Sequence, residues 1–188
     1  EIGVRLVGSE MCIRDRGINV SENTKHRAVL LYDTEQSEVQ LFKNVTNLIK
    51  RAKQTDKPDE FKAFCLTGMS RKERLHAIVQ SMDRYYYQYD GIQLVVIDGI
   101  ADLVRCANDE AESVAIIDEL YRLAGIYKTC IICVLHFIPN GLKLRGHLGS
   151  ELQRKAAAIL SIEKDEDPAL SVVKALKVRD GSRFALQF

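Results

Sequence analysis

Three side chains able to do acid–base or metal chemistry stand where apolar runs end. Glu35 follows Ala28-Val29-Leu30-Leu31-Tyr32, Asp98 directly follows Ile92-Gln93-Leu94-Val95-Val96-Ile97, and His136 follows Cys130-Ile131-Ile132-Cys133-Val134-Leu135. One carboxylate can orient water, a second can hold a divalent cation, and an imidazole can contact an anion. Two cations, Lys177 and Arg179, lie two apart near the carboxyl end, and Lys143 and Arg145 lie in a glycine-rich loop. Such cations can stabilise charge on a transferred group or grip phosphate. Each residue also has a plainer reading. Asp98 could cap the element that follows, Glu35 could sit ahead of a helix amino terminus, and His136 could be a satisfied core histidine. Lys177 and Arg179 could share a solvated face, and Arg145 could belong to a solvated loop.

These groups need a sheet to bring them together. The Asp98 run has no polar break after Gln93 and is rich in valine and isoleucine, which suits a strand buried on both faces. Strands are expected at 28–32, 61–66, 92–98, 130–135, 157–162 and 171–178. Helices are expected between them. Ser37 with Gln40 and Ser70 with Glu73 have capping-box spacing, and Asp109 with Glu112 can start a third helix. The apolar faces of these helices are expected to be Val39, Phe42, Val45, Leu48, Ile49 and Ala52 in the first and Leu75, Ile78, Val79, Met82 and Tyr86 in the second. In the third they are Val114, Ile117, Leu120, Ala124 and Tyr127. Strands that alternate with helices and then run consecutively describe an α/β fold, a mostly parallel sheet with an antiparallel hairpin at the carboxyl end. Parallel strands would carry Glu35, Asp98 and His136 to one rim.

The chain has 188 residues with 46% hydrophobic and 28% charged, enough for one globular domain. A formal net charge of +1 excludes an overall field that would attract nucleic acid or membrane, so basic contacts must be local. No run is long and apolar enough to span a bilayer and no leader pattern occurs, so the expected compartment is cytoplasmic. Residues 1–16, Glu1 to Arg16, read like a conceptual translation of a transposon-based sequencing adapter. They are expected to be foreign to the fold, leaving 17–188 as a partial domain. Cys12 falls with them. Cys130 and Cys133 have C-x-x-C spacing inside an apolar strand, where positions three apart face opposite ways, so core thiols are expected rather than a metal or redox pair.

Tyr32-Asp33-Thr34-Glu35-Gln36, Leu94-Val95-Val96-Ile97-Asp98-Gly99, Val134-Leu135-His136 and Lys177-Val178-Arg179-Asp180-Gly181 resemble, in order, the motifs of RecA-like P-loop ATPases. The likeness is to the RepA and DnaB-type hexameric helicase branch, and in tone to RecA-fold proteins of mobilizable elements in Bacteroides-type bacteria. The resemblance implies ATP and Mg2+ as cofactors, DNA as partner and a homo-oligomeric ring. It implies that Glu35 activates water, Asp98 is the Walker B aspartate on Mg2+, and His136 contacts the γ-phosphate. Lys177 and Arg179 would act on phosphate charge from a neighbouring subunit, and Arg145 would bind phosphate or serve as a trans arginine. One departure matters: no G-x-x-x-x-G-K-[ST] occurs in the sequence. The resemblance puts that loop just ahead of the Glu35 strand, so this chain is expected to be inactive on ATP. Two other readings stay open. One is a RecA-like module that binds DNA or a partner without turnover; the other is a different metal-dependent phosphate esterase using Asp98.

Overall fold

The computed structural model describes residues 22–136, 146–164, 166–167 and 171–179, together with the backbone of Ala185–Gln187. Four parallel strands, β1 (Ala28–Asp33), β2 (Phe61–Cys65), β3 (Ile92–Asp98) and β4 (Cys130–Val134), form one sheet in the order β2-β1-β3-β4. Their crossovers carry α1 (Glu38–Arg51), α2 (Arg71–Gln88) and α3 (Glu110–Tyr127), and a 3-10 turn at Ile100–Leu103 follows β3. Beyond β4, α4 (Gly146–Lys155) leads to an antiparallel sheet of β5 (Ala158–Lys164), β6 (Ser171–Val178) and β7 (Ala185–Gln187). This is the expected α/β architecture, with a third strand added to the expected hairpin.

Local chemistry explains the helix starts. Ser70 accepts from the Glu73 amide while the Glu73 carboxylate accepts from the Ser70 amide, a reciprocal box. Asp109 accepts from the Glu112 amide at the head of α3. At α1 only half of the expected box forms: the Ser37 hydroxyl accepts from the Gln40 amide, while the Gln40 side chain donates forward to Asn44.

The core lies between the parallel sheet and α2, α3 and α4. Leu30 and Tyr32 of β1, Val95 and Ile97 of β3, Ile78 and Met82 of α2, Ile117, Leu120 and Leu123 of α3 and Leu148 of α4 are all buried in one cluster. Burying each such aliphatic side chain contributes about 1.5–3 kcal/mol before entropy is counted. Two helix faces differ from expectation. In α1 the buried residue is Leu41, while Val39 and Phe42 are 66% and 72% exposed, because this helix lies beside the edge strand β2 and turns only a narrow stripe inward. In α3 the buried face also includes Ile116 and Leu123, since this helix packs on both β4 and α4.

Cys65, Cys106, Cys130 and Cys133 are free thiols. Burial pushes the Cys130 thiol up and Cys133 up to about 12, so both are inert protonated groups, in agreement with the core reading. Among the described residues no helix is long and apolar enough to cross a membrane.

Candidate functional site

Register levels the strand ends. Asp33 pairs with Asp98 across β1 and β3, and Asp98 with Val134 across β3 and β4, so the residues just beyond these strands leave the sheet at one rim. There Glu35 and His136, far apart in the chain, meet: His136 Nε2 lies 3.2 Å from Glu35 Oε2. Their side chains are 31% and 76% exposed, respectively, so the contact adds little to stability and its interest is geometric. Asp98 stands half-buried beside them. Burial, and then the charges of Asp33 and Glu35, hold its carboxyl above the ordinary carboxylate range, and His136 opposes them. The rim thus carries negative charge that the chain itself does not neutralise.

Two residues that the sequence reading left unassigned shape this rim. Asp33 is 3% exposed and its Oδ1 accepts from the amides of Glu35 (3.0 Å) and Gln36 (2.7 Å), fixing the turn that aims Glu35. Thr34, 2% exposed, bonds to the chain beyond Asp98. The available signal was their position: polar residues directly ending an apolar strand, as Asp98 does.

The donor set fits Mg2+ only in part. Among the described residues no three His, Cys, Asp or Glu side chains converge as a metal cage. Mg2+ is commonly held by one or two carboxylates, water and substrate phosphate, and an unneutralised, half-buried Asp98 suits that mode. The phosphate side has no matching cradle in this sequence, which lacks G-x-x-x-x-G-K-[ST]. The residues present therefore fit the metal end of such a ligand and not its phosphate end.

The other expected site residues lie elsewhere. Lys177 Nζ donates to the carbonyls of Gln153 and Arg154, and Arg179 Nη2 to those of Arg154 and Lys155, so both cations close the carboxyl end of α4. The fold does not bring them to Glu35 and Asp98 within one chain. Lys143 and Arg145 lie outside the described residues. Beside the rim, a groove of about 480 Å3 runs between the loops after β2 and β3, lined by Arg71, Arg74, Asp102, Arg105 and Cys106 among others. None of Glu35, Asp98 and His136 lines it. Arg74, its side chain only 14% exposed, bonds the carbonyls of Leu66, Thr67, Met69 and Asp102 and sits 3.5 Å from the Asp102 carboxylate. Arg71, at the head of α2, is exposed.

No family model and no curated sequence matches this chain. Solved structures do. The ATPase domain of a DnaB-like helicase superposes with a TM-score of 0.57, covering 86% of this chain and 70% of that one at 17% identity. The RadB recombinase superposes with a TM-score of 0.55, covering 87% and 75% at 19% identity. At this identity the likeness shows the fold, a RecA-like α/β sheet flanked by helices.

Proposed function

We propose that this chain is part of an ATP-dependent DNA-processing motor, of helicase or helicase-like type, serving replication or mobilisation of a genetic element. The observation that carries the reading is the contact between Glu35 and His136 next to an unneutralised Asp98 on one rim. It is supported by the fold shared with an ATPase domain and a recombinase. In this reading Glu35 orients and deprotonates the attacking water, and Asp98 holds Mg2+ through coordinated water. His136, in reach of Glu35, registers whether anionic charge occupies the rim. Bound ATP with Mg2+ supplies the phosphoanhydride bond. Lys177 and Arg179 act on a neighbouring subunit in a ring, which requires them to leave the α4 carbonyls or to present their remaining N–H groups. DNA phosphate is met by the exposed Arg71 and by Arg105 at the groove, and by Lys143 and Arg145. The reading requires a phosphate-cradling loop in addition to the residues of this sequence.

The test is ATP turnover by the protein encoded by the uninterrupted gene, with and without DNA. DNA-stimulated hydrolysis should fall by about 100-fold or more in Glu35→Gln, the usual scale for loss of a general base. Undiminished turnover in that variant would remove Glu35 from its role.

A second reading is favoured by the missing G-x-x-x-x-G-K-[ST]: a RecA-like module that binds DNA or a protein partner without hydrolysis. DNA binding with no nucleotide binding by the same full protein would select it.

A further inference from the structure

One buried hydroxyl and one missing side chain lie between the two acids of the rim. Thr34 precedes Glu35 in the chain, Gly99 follows Asp98, and the two are joined by backbone and side chain alike. The Thr34 amide donates to the Asp98 carbonyl at 2.6 Å. Its hydroxyl donates to the Gly99 carbonyl at 2.8 Å and accepts from the Gly99 amide at 2.9 Å. The β1–β3 ladder ends at the pair Asp33 and Asp98, and the Thr34 side chain continues it one step further by imitating a peptide group. Both Gly99 backbone groups would otherwise be buried without these partners. Gly99 contributes by what it lacks. A Cβ built there would overlap Glu35 Oε1 and come within 3.0 Å of Glu35 Cδ, so the carboxylate lies directly against the Gly99 backbone.

We propose that Thr34 and Gly99 form a positioning pair that sets the separation of Glu35 from Asp98 and His136. Thr34 ties the two strand exits together, and Gly99 leaves the slot into which the Glu35 carboxylate folds. Neither touches a reacting atom, so neither is a catalytic residue. The inference deepens the hydrolase reading of the same rim and takes the roles of Glu35 and Asp98 from it, while its geometry is open to measurement without nucleotide. The pair makes opposite demands on substitution. Serine keeps the hydroxyl at position 34 and valine, its near-isostere, loses it. Any side chain at position 99 displaces only the flexible end of Glu35, so the fold survives while the carboxylate moves.

Nuclear magnetic resonance on the full chain tests this with two readouts: exchange of the residue-99 amide, and the ring nitrogen and carbon signals of His136. Glu35→Gln gives the reference shift of those ring signals when the carboxylate charge beside them is lost. Gly99→Ala should keep the wild-type melting profile yet move the His136 signals toward that reference. Thr34→Val should speed exchange of the Gly99 amide roughly tenfold, the scale of one buried hydrogen bond, and move the same signals. Thr34→Ser should restore both. His136 signals unmoved in Gly99→Ala, or Thr34→Ser behaving like Thr34→Val, would overturn the pairing. If Thr34→Val does not fold, Gly99→Ala and Thr34→Ser decide the matter. Signals indifferent to Glu35→Gln would overturn it as well, by removing the contact being positioned. Failure of the hydrolase reading looks different: these signals move as expected while ATP turnover in Glu35→Gln stays intact.

Discussion

In the parallel sheet the acidic side chains stand at strand ends with few partners, whereas in the antiparallel sheet the charges are already matched. Asp98 is held above the ordinary carboxylate range by burial and by Asp33 and Glu35, and only His136 opposes them. On β5 and β6, Lys174 lies 2.6 Å from Glu163 and holds that carboxyl below its usual value, and Lys177 and Arg179 close the end of α4. Unmatched charge at the end of a buried strand costs stability and is kept for a ligand. Matched charge on an exposed sheet serves the fold. The apolar residues divide the same way: Leu30 and Ile97 are fully buried, while Leu160 and Ile162 are 50% and 68% exposed.

The contrast can be broken at three levels. The largest effect is in the core. Leu30→Ala should cost about 2–5 kcal/mol in urea unfolding, and Ile162→Ala no more than about 0.5 kcal/mol. Comparable losses would erase the distinction between the sheets.

The next effect is electrostatic. Because the folded state raises the pKa of Asp98, it holds that proton more tightly than the unfolded chain does. Stability therefore falls as pH rises from the ordinary carboxylate range through the raised pKa, and the full penalty is present above it. Without divalent ions, Asp98→Asn should melt higher than wild type at neutral pH, by no more than about 1 kcal/mol after allowance for partial exposure. The gap should close below about pH 4. A wild-type chain equally stable at neutral pH would mean that the rim charge is already balanced.

The smallest effect belongs to the matched cations. Lys177→Ala should lose about 0.3–1 kcal/mol at low salt and less at high salt, as expected for a cation at a helix carboxyl end. No loss at low salt would free Lys177 from its structural role and strengthen the case for action in trans.

Much of this arrangement was legible in the sequence because it is local. The apolar runs that become β1, β3 and β4 have no competing period, and Ser70 with Glu73 marks the start of α2 without help from any distant residue. The strand-end positions of Glu35, Asp98 and His136 followed from parallel topology. What escaped depends on partners distant in the chain. Asp33 and Thr34 read as ordinary loop polars until strand β3 arrives to bury them, and the inward turn of Leu41 rather than Phe42 is set by the edge strand beneath α1. The two-residue spacing of Lys177 and Arg179 said that they share a face; only the carbonyls of α4 say what that face meets.

Arg74 has a consequence for motion. Its single guanidinium holds carbonyls from the loop after β2 and from the 3-10 turn after β3, so neither loop can swing out without releasing the other. A lysine has no planar fork with which to hold both sides at once. The two loops flanking the groove therefore belong to one cooperative unit of local unfolding, opening and closing with a common free energy instead of two.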